Sequence, residues 1–340
     1  MAAKLKVGIT PGVLDSKGAP IFDPAAFAVL DQAPLEWEHI ALDEAEISPD
    51  TAAQFDALCV MLGKVTAATL ARPDRRLKLI ARFGVGYDTI DVPACTRAGV
   101  LLTIAPDGVR RPVASSVMAL MLALAHKILI KDRITRAGRW GEKLEHIGTG
   151  LAGRTLGAIG IGNIGAELFR LVAPFGMRQI AFDPFAAPDL ARGLGVTLVD
   201  FDTLLRESDF VSVMCPLNDD TRGLIGAREL GLMKRSAYLI NTARGPIVQE
   251  KALVDALVAG RIAGAGLDVF EVEPTPKDNP LLALDNVIVA PHGICFTDEC
   301  LLGLARSAFG SAAALAHGRV PPYVVNREAL AHPAFAHLKP

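Results

Sequence analysis

Short apolar runs recur along the chain, separated by polar segments with helical spacing. In the first hundred residues the runs fall at 5–9, 37–40, 57–61 and 77–83, with helical patterns at 24–31 and 49–55. Brief apolar runs bounded by turn signals read as buried strands, and strands alternating with helices build parallel βαβ units. The alternation resumes after Gly153, where 156–159, 180–182, 196–198, 210–214, 237–241, 264–269 and 287–290 are further strand candidates. Two long apolar helices interrupt it. One, at 113–130, is expected to start at Pro112, because proline suits a first helical turn. Its scarcity of charge before Lys127 predicts burial at a domain junction or subunit interface, with His126 packed or interfacial. The other covers 300–317; residues 137–150 read as irregular, and the tail bearing Pro321, Pro322 and Pro333 as extended. The fold class is therefore α/β, with two doubly wound parallel sheets.

Composition narrows the function. A chain of 340 residues, 51% apolar and 21% charged, supports two domains with large cores. The formal charge of −2 offers no basic field for nucleic acid or an anionic membrane. No uninterrupted apolar run approaches the ~18 residues of a membrane span, and no signal-peptide pattern opens the chain. The cysteines at 59, 95, 215, 295 and 300 form no CxxC pair and read as reduced thiols of a cytoplasmic protein. No His, Cys or acid set has metal-ligand spacing, so no metal is expected.

The most informative stretch is Leu156-Gly157-Ala158-Ile159-Gly160-Ile161-Gly162-Asn163-Ile164-Gly165. A strand candidate runs into GxGxxG, and Ala166 to Val172 then has helical spacing. In a strand–turn–helix unit Gly160 permits the tight turn, Gly162 lets a pyrophosphate approach the backbone, and Gly165 lets helix pack on strand. The helix N-terminus then faces the phosphates. The next strand ends at Asp183, where a carboxylate accepts hydrogen bonds from a ribose diol and repels a 2′-phosphate, favouring NAD over NADP. Gly84-Val85-Gly86 also comes after an apolar run but lacks the third glycine, so it is not the dinucleotide loop.

Ligands of open α/β sheets bind beyond the carboxyl ends of the strands. Arg244, Glu273 and His292 each come after a strand candidate of the second half. Arginine grips a carboxylate bidentately, and histidine titrates near neutrality and can exchange a hydroxyl proton. A glutamate bonded to the imidazole would fix its tautomer and favour its protonated form.

At these residues the chain resembles the D-isomer-specific 2-hydroxyacid dehydrogenases, over nearly its whole length. Residues 156–165, Ile240-Asn241-Thr242-Ala243-Arg244-Gly245-Pro246-Ile247-Val248 and Gly266-Leu267-Asp268-Val269-Phe270-Glu271-Val272-Glu273-Pro274 are similar to the family signatures. Pro291-His292 and Phe83-Gly84-Val85-Gly86-Tyr87-Asp88 match in part. The resemblance implies an NAD-dependent oxidoreductase interconverting a 2-oxo acid and a D-2-hydroxy acid. It implies catalytic roles for Arg244, Glu273 and His292, and a nicotinamide-amide contact for Asp268. It places Asn163, Ile164, Pro216, Thr221, Thr242 and Ala243 around the cofactor, and Val85 and Gly86 on the substrate carboxylate. It further implies a homodimer and a Rossmann domain at 105–298 inserted into a smaller flavodoxin-like domain, 1–104 with 299–340.

The chain departs from the family pattern at Val109, where asparagine is common, at Ser115 for glutamate, and at Met214 for histidine. Gly293-Ile294-Cys295-Phe296 replaces a glycine-rich continuation. Arg110 and Arg111 are expected near the substrate pocket, either pairing with acids or reaching a second anionic group on the substrate. Two rivals keep most of these motifs: a dehydrogenase of another small anion such as formate or phosphite, and an NADH-sensing corepressor-like binding protein.

Overall fold

The computed structural model describes residues 4–42 and 44–339. They form two compact units, one running to Val109 and resuming at Phe296, the other spanning Arg110–Cys295. In the first, β1 (Leu5–Ile9), β2 (Leu35–His39), β3 (Ala57–Val60), β4 (Leu79–Arg82) and β5 (Leu101–Thr103) pair in the order β2-β1-β3-β4-β5, all parallel. All of β3 is buried, as is most of β4. A parallel strand covered on both faces reads as an unbroken apolar run rather than an alternation. The helix Asp298–Ala316, capped by Thr297, packs on β3 and β4. The ring of Phe83 lies 5.3 Å from Phe22 and 5.6 Å from Phe309 of that helix. This aromatic cluster anchors the chain where it enters Gly84-Val85-Gly86.

In the second unit β6 (Thr155–Ile159), β7 (Arg178–Phe182), β8 (Thr197–Leu198), β9 (Phe210–Val213), β10 (Tyr238–Asn241), β11 (Gly264–Leu267) and β12 (Val287–Val289) form a parallel sheet. The order is β12-β11-β10-β9-β6-β7-β8. The chain winds outward from β6 one way and then from β9 the other, so the reversal lies between β6 and β9. Successive strand residues face opposite sides of a sheet. Leu239 accordingly joins one core with Ile159, Val211 and Leu253, while Tyr238 and Ile240 join another with Leu120, Leu124 and Phe169.

The long apolar helix differs from its expected form. It begins at Pro106, contains Pro112, and ends at His126, which is exposed on the single chain. Pro112 lacks the N–H that would bond the carbonyl of Gly108. Burial of Ala114, Val117, Leu120 and Met121 offsets that loss. By length and composition this helix could cross a membrane, yet those side chains are packed in a core of the second unit. Lys127, at φ +54°, breaks the helix, and Ile128–Arg136 starts a second one. Two elements have no counterpart among the sequence expectations, β5 and the helix Val92–Arg97. The latter has a clear start signal, since Asp91 accepts the Ala94 N–H at 2.9 Å and Pro93 sits in the first turn, but six residues are too few to show periodicity. The tail is not extended throughout: Arg327–Ala331 and Pro333–Phe335 are 3₁₀ turns. Potential metal ligands do gather at Glu142, Glu145 and His146, on and just after the 3₁₀ turn Trp140–Leu144. Glu142 is paired with Arg139 at 3.2 Å there.

Candidate active site

The turn after β6 gives each glycine a different reason to be glycine. Gly160 has φ +101°, and a Cβ there would stand 3.0 Å from the Met214 carbonyl carbon. A Cβ on Gly165 would stand 2.6 Å from the Gly160 oxygen, so the helix Asn163–Val172 closes directly on the strand end. Gly162 has open space in front of it, the approach a pyrophosphate needs. No side chain caps this helix. Ala166 is the first residue to bond back, to the Gly162 carbonyl at 2.9 Å, which leaves the Ile164 and Gly165 N–H groups for a ligand. Asp183, after β7, accepts from the Ile161 N–H through one oxygen and from the Phe185 N–H through the other, both at 2.9 Å. The acid is therefore bonded to the glycine loop itself.

Around this turn, Thr221 donates to the Pro216 carbonyl at 2.6 Å and accepts the Asn218 N–H at 2.9 Å, which closes the loop after β9. The hydroxyl of Thr242 is buried without a hydrogen-bond partner among the described residues. A buried orphan hydroxyl beside the strand ends is what a bound polar ligand would satisfy. The glycine cradle, the helix end, Asp183 and Thr242 together fit NAD.

Arg244, Glu273 and His292 come after β10, β11 and β12, three adjacent strands. Asn241, buried at the end of β10, shapes the first of these loops: its amide donates to the Arg244 carbonyl at 2.9 Å and its oxygen accepts the Ala243 N–H at 3.0 Å. Gly245 runs so close to the next loop that a Cβ would stand 1.9 Å from the Phe270 carbonyl. Only glycine permits that approach. Asp268 accepts the Gly293 and Ile294 N–H groups at 2.9 and 3.1 Å through one oxygen, and its carbonyl accepts the His292 N–H at 2.8 Å. These bonds hold His292 at φ +52°, a conformation that few side chains adopt. Burial pushes the Asp268 carboxyl above its ordinary pKa, against the lowering effect of those two N–H donors.

The His292 Nδ1 lies 2.6 Å from a Glu273 oxygen, and the other oxygen accepts the Phe270 N–H at 2.9 Å. Partial burial alone would raise the Glu273 pKa. The bonds from His292 and Phe270 and the charges of His292 and Arg244 outweigh it and hold the carboxyl below its ordinary value. Glu273 thus stays ionised, which fixes Nδ1 as the bonded nitrogen and leaves Nε2 without a partner among the described residues.

In the other unit, Gly84 comes after β4 with φ +135°, and its carbonyl accepts the Ala105 N–H at 2.8 Å. Arg82 donates to the Gly86 carbonyl at 3.0 Å, to the Val60 carbonyl at 3.0 Å and to the Met61 carbonyl. With carbonyls so engaged, the Val85 and Gly86 N–H groups have no acceptor among the described residues. Two adjacent amide donors on a fixed loop suit a carboxylate. Asn241 and Arg82 are absent from the sequence expectations; the signal for both is a polar residue closing an apolar run.

Arg111 is not placed for a substrate anion, because its Nε is 3.0 Å from the buried carboxylate of Glu167. Arg110 reaches Asn163 Oδ1 at 3.5 Å.

Residues 118–293 match the NAD binding domain of the D-isomer specific 2-hydroxyacid dehydrogenases. A glyoxylate reductase from Korarchaeum cryptofilum is 39% identical over 295 residues, covering 86% of this chain and 89% of that protein. A D-3-phosphoglycerate dehydrogenase from Archaeoglobus fulgidus is 41% identical over 251 residues, 74% of this chain and 47% of the longer relative. Among solved structures, a D-lactate dehydrogenase from Aquifex aeolicus complexed with NAD and lactic acid superposes with a TM-score of 0.80 at 29% identity, covering 92% of this chain and 96% of that one. With the glycine cradle and the strand-end trio, these matches make the chain a member of the D-isomer specific 2-hydroxyacid dehydrogenases, NAD-dependent oxidoreductases that interconvert a 2-oxo acid and a 2-hydroxy acid.

Proposed function

We propose that this protein reduces a small 2-oxo acid of the glyoxylate or hydroxypyruvate kind to the D-2-hydroxy acid, as a homodimer. The observation that carries the mechanism is the 2.6 Å contact between His292 Nδ1 and Glu273. The Val85 and Gly86 N–H groups take the substrate carboxylate, and the Arg244 guanidinium polarises the carbonyl oxygen. Glu273 holds the imidazole through Nδ1, so that Nε2 is oriented to deliver a proton to that oxygen. NADH, when bound on the 160–165 loop with Asp183, Thr242 and Asp268, supplies the hydride to the carbonyl carbon. The substrate range draws on the relatives named glyoxylate reductase. The second copy is supported by Ile128, Leu129, Trp140, Leu144 and Ile147, large apolar side chains that are all exposed within one short stretch.

The test is turnover of glyoxylate, hydroxypyruvate and longer 2-oxo acids with NADH. The His292→Ala variant should lose kcat by roughly 10²–10⁴, the range for a general acid–base group. Near wild-type turnover in that variant would assign the proton to another residue. NADH binding without turnover of any 2-oxo acid would favour a sensing protein instead.

A further inference from the structure

Gly303, Ser307, Gly310 and Ala314 recur at helical spacing along the helix Asp298–Ala316 and share one face, which Arg306 flanks. The first turn of the helix Pro106–His126 lies against that face, since a Cβ on Gly108 would stand 2.7 Å from the Gly303 carbonyl carbon. Two turns further along, a Cβ on Gly310 would meet nothing within 4 Å. A cleft of about 630 Å³ opens beside that contact, within the first unit and of the size that takes a small molecule. Its other wall is the tail segment 319–323. There the Arg319 N–H donates to the Ala314 carbonyl at 2.9 Å, and the Tyr323 hydroxyl donates to Asp107 in the first turn of Pro106–His126. Tyr323 holds φ +55°, a conformation that costs energy in a bulky residue and is found most often at ligand sites.

Charge in this cleft is not balanced. Arg306 and Arg319 both line it, and neither guanidinium has a hydrogen-bond or ion-pair partner among the described residues. The acid in the lining, Asp107, already accepts the Tyr323 hydroxyl. Ser307 adds a hydroxyl whose bond to the Ile104 carbonyl is long, at 3.4 Å. Two cationic forks and a weakly held hydroxyl thus share one cavity with an open glycine floor.

We propose that this cleft is an anion-binding site, taking a small organic anion with two or more acidic groups, one held by Arg306 and another by Arg319. Carboxylate and phosphate oxygens both match the planar guanidinium fork, which grips them through paired charge-assisted hydrogen bonds. Gly310 leaves room for the body of the ligand over the helix. The site uses none of the residues assigned to the 2-oxo acid or to NAD.

The experiment titrates the full-length protein with citrate, inorganic phosphate and acetate by calorimetry at fixed ionic strength, with ADP-ribose present to occupy the dinucleotide loop. The wild type should bind citrate or phosphate at least tenfold more tightly than acetate, and the tighter of the two assigns the acidic group. Arg306→Gln and Arg319→Gln should each weaken that anion by about ten- to a hundredfold, the effect of losing a hydrogen bond to a charged group. Gly310→Leu fills the floor without meeting another atom at Cβ and removes a poor helix former, so it should abolish binding while Tm holds or rises. In all three variants kcat/KM for glyoxylate should stay within twofold of wild type. No preference over acetate, or affinity within twofold of wild type in either arginine variant, would overturn the two-arginine site. So would binding that vanishes when glyoxylate saturates the protein and is indifferent to Gly310→Leu, since the anion would then belong to the Val85 and Gly86 amides.

Discussion

The chain holds two glycine turns that look alike in sequence and work by different physics. Each comes after a buried parallel strand, β6 in one unit and β4 in the other. After β6 a helix of ten residues begins within the turn, so an anion is offered helix-end N–H groups and a dipole. After β4 there is no immediate helix; Arg82 gathers the Gly86, Val60 and Met61 carbonyls instead, and the Val85 and Gly86 amides are left as donors. The first turn is made by backbone closing on backbone. The second is made by one side chain reading backbone carbonyls. A GxG after a strand is therefore not a single motif. The element on its C-terminal side decides whether a diphosphate or a small carboxylate is the better ligand.

The largest expected effect breaks the first turn. Gly165→Val would push a branched side chain into the Gly160 oxygen, which stands 2.6 Å from the position of even a Cβ and belongs to the backbone. Overpacking of this kind costs about 1–3 kcal/mol. NADH affinity should fall by more than a hundredfold because the cradle itself is displaced, read by titration and thermal unfolding together. The matching change in the second turn, Gly84→Ala, meets no atom within 4 Å but must adopt φ +135°. Its penalty is conformational, about 1–3 kcal/mol. It should raise the KM for the 2-oxo acid and leave NADH affinity alone. If both variants lost NADH equally, the two turns would not be independent.

A smaller effect tests what holds the second turn. Arg82→Met keeps the aliphatic stem and removes every carbonyl contact of the guanidinium. Hydrogen bonds from a charged donor contribute about 1.5–3 kcal/mol each, part of it here spent on stability and part on loop shape. We expect KM for glyoxylate and Ki for a competing carboxylate to rise about tenfold, with the NADH dissociation constant unchanged. A parallel loss of cofactor affinity would make Arg82 a general stabiliser of the fold.

The contrast also explains what was legible in the sequence. The inner strands of the larger sheet were readable because burial on both faces leaves unbroken apolar runs, as in Phe210–Val213 and Tyr238–Asn241. The three glycines, Asp183 and the strand-end positions of Arg244, Glu273 and His292 were readable because fixed spacing along one chain encodes them. The clasp of Asn241 on Arg244, the reach of Arg82 back to β3 and the pairing of Arg111 with Glu167 were not. These are side-chain contacts set by tertiary neighbours, and they leave no periodic trace. Pro112 misled for a related reason: local propensity favours a helix start there, and packing of the residues after it overrides that preference.

The last prediction sharpens the first turn by separating its shape from its selectivity. Asp183 has two duties, since it bonds the Ile161 and Phe185 N–H groups and is also the acid expected to face the ribose. A carboxylate repels a 2′-phosphate, so NADH should be preferred over NADPH by at least tenfold in kcat/KM, equivalent to about 1.4 kcal/mol. Asp183→Ser should bring that ratio towards one. It should also weaken both cofactors, because Ile161 is buried and its N–H would lose an acceptor. The ratio between cofactors is therefore the informative readout, and the absolute affinity reports the loop. Asp183→Asn keeps the size but offers one acceptor oxygen in place of two, so one of the two loop N–H groups would face an amide NH₂. It should shift the ratio nearly as far as serine does, since the charge is gone in both, while a different share of the binding is lost. Should the wild type use both cofactors with equal efficiency, Asp183 would serve the loop alone and the discrimination would have to come from other residues.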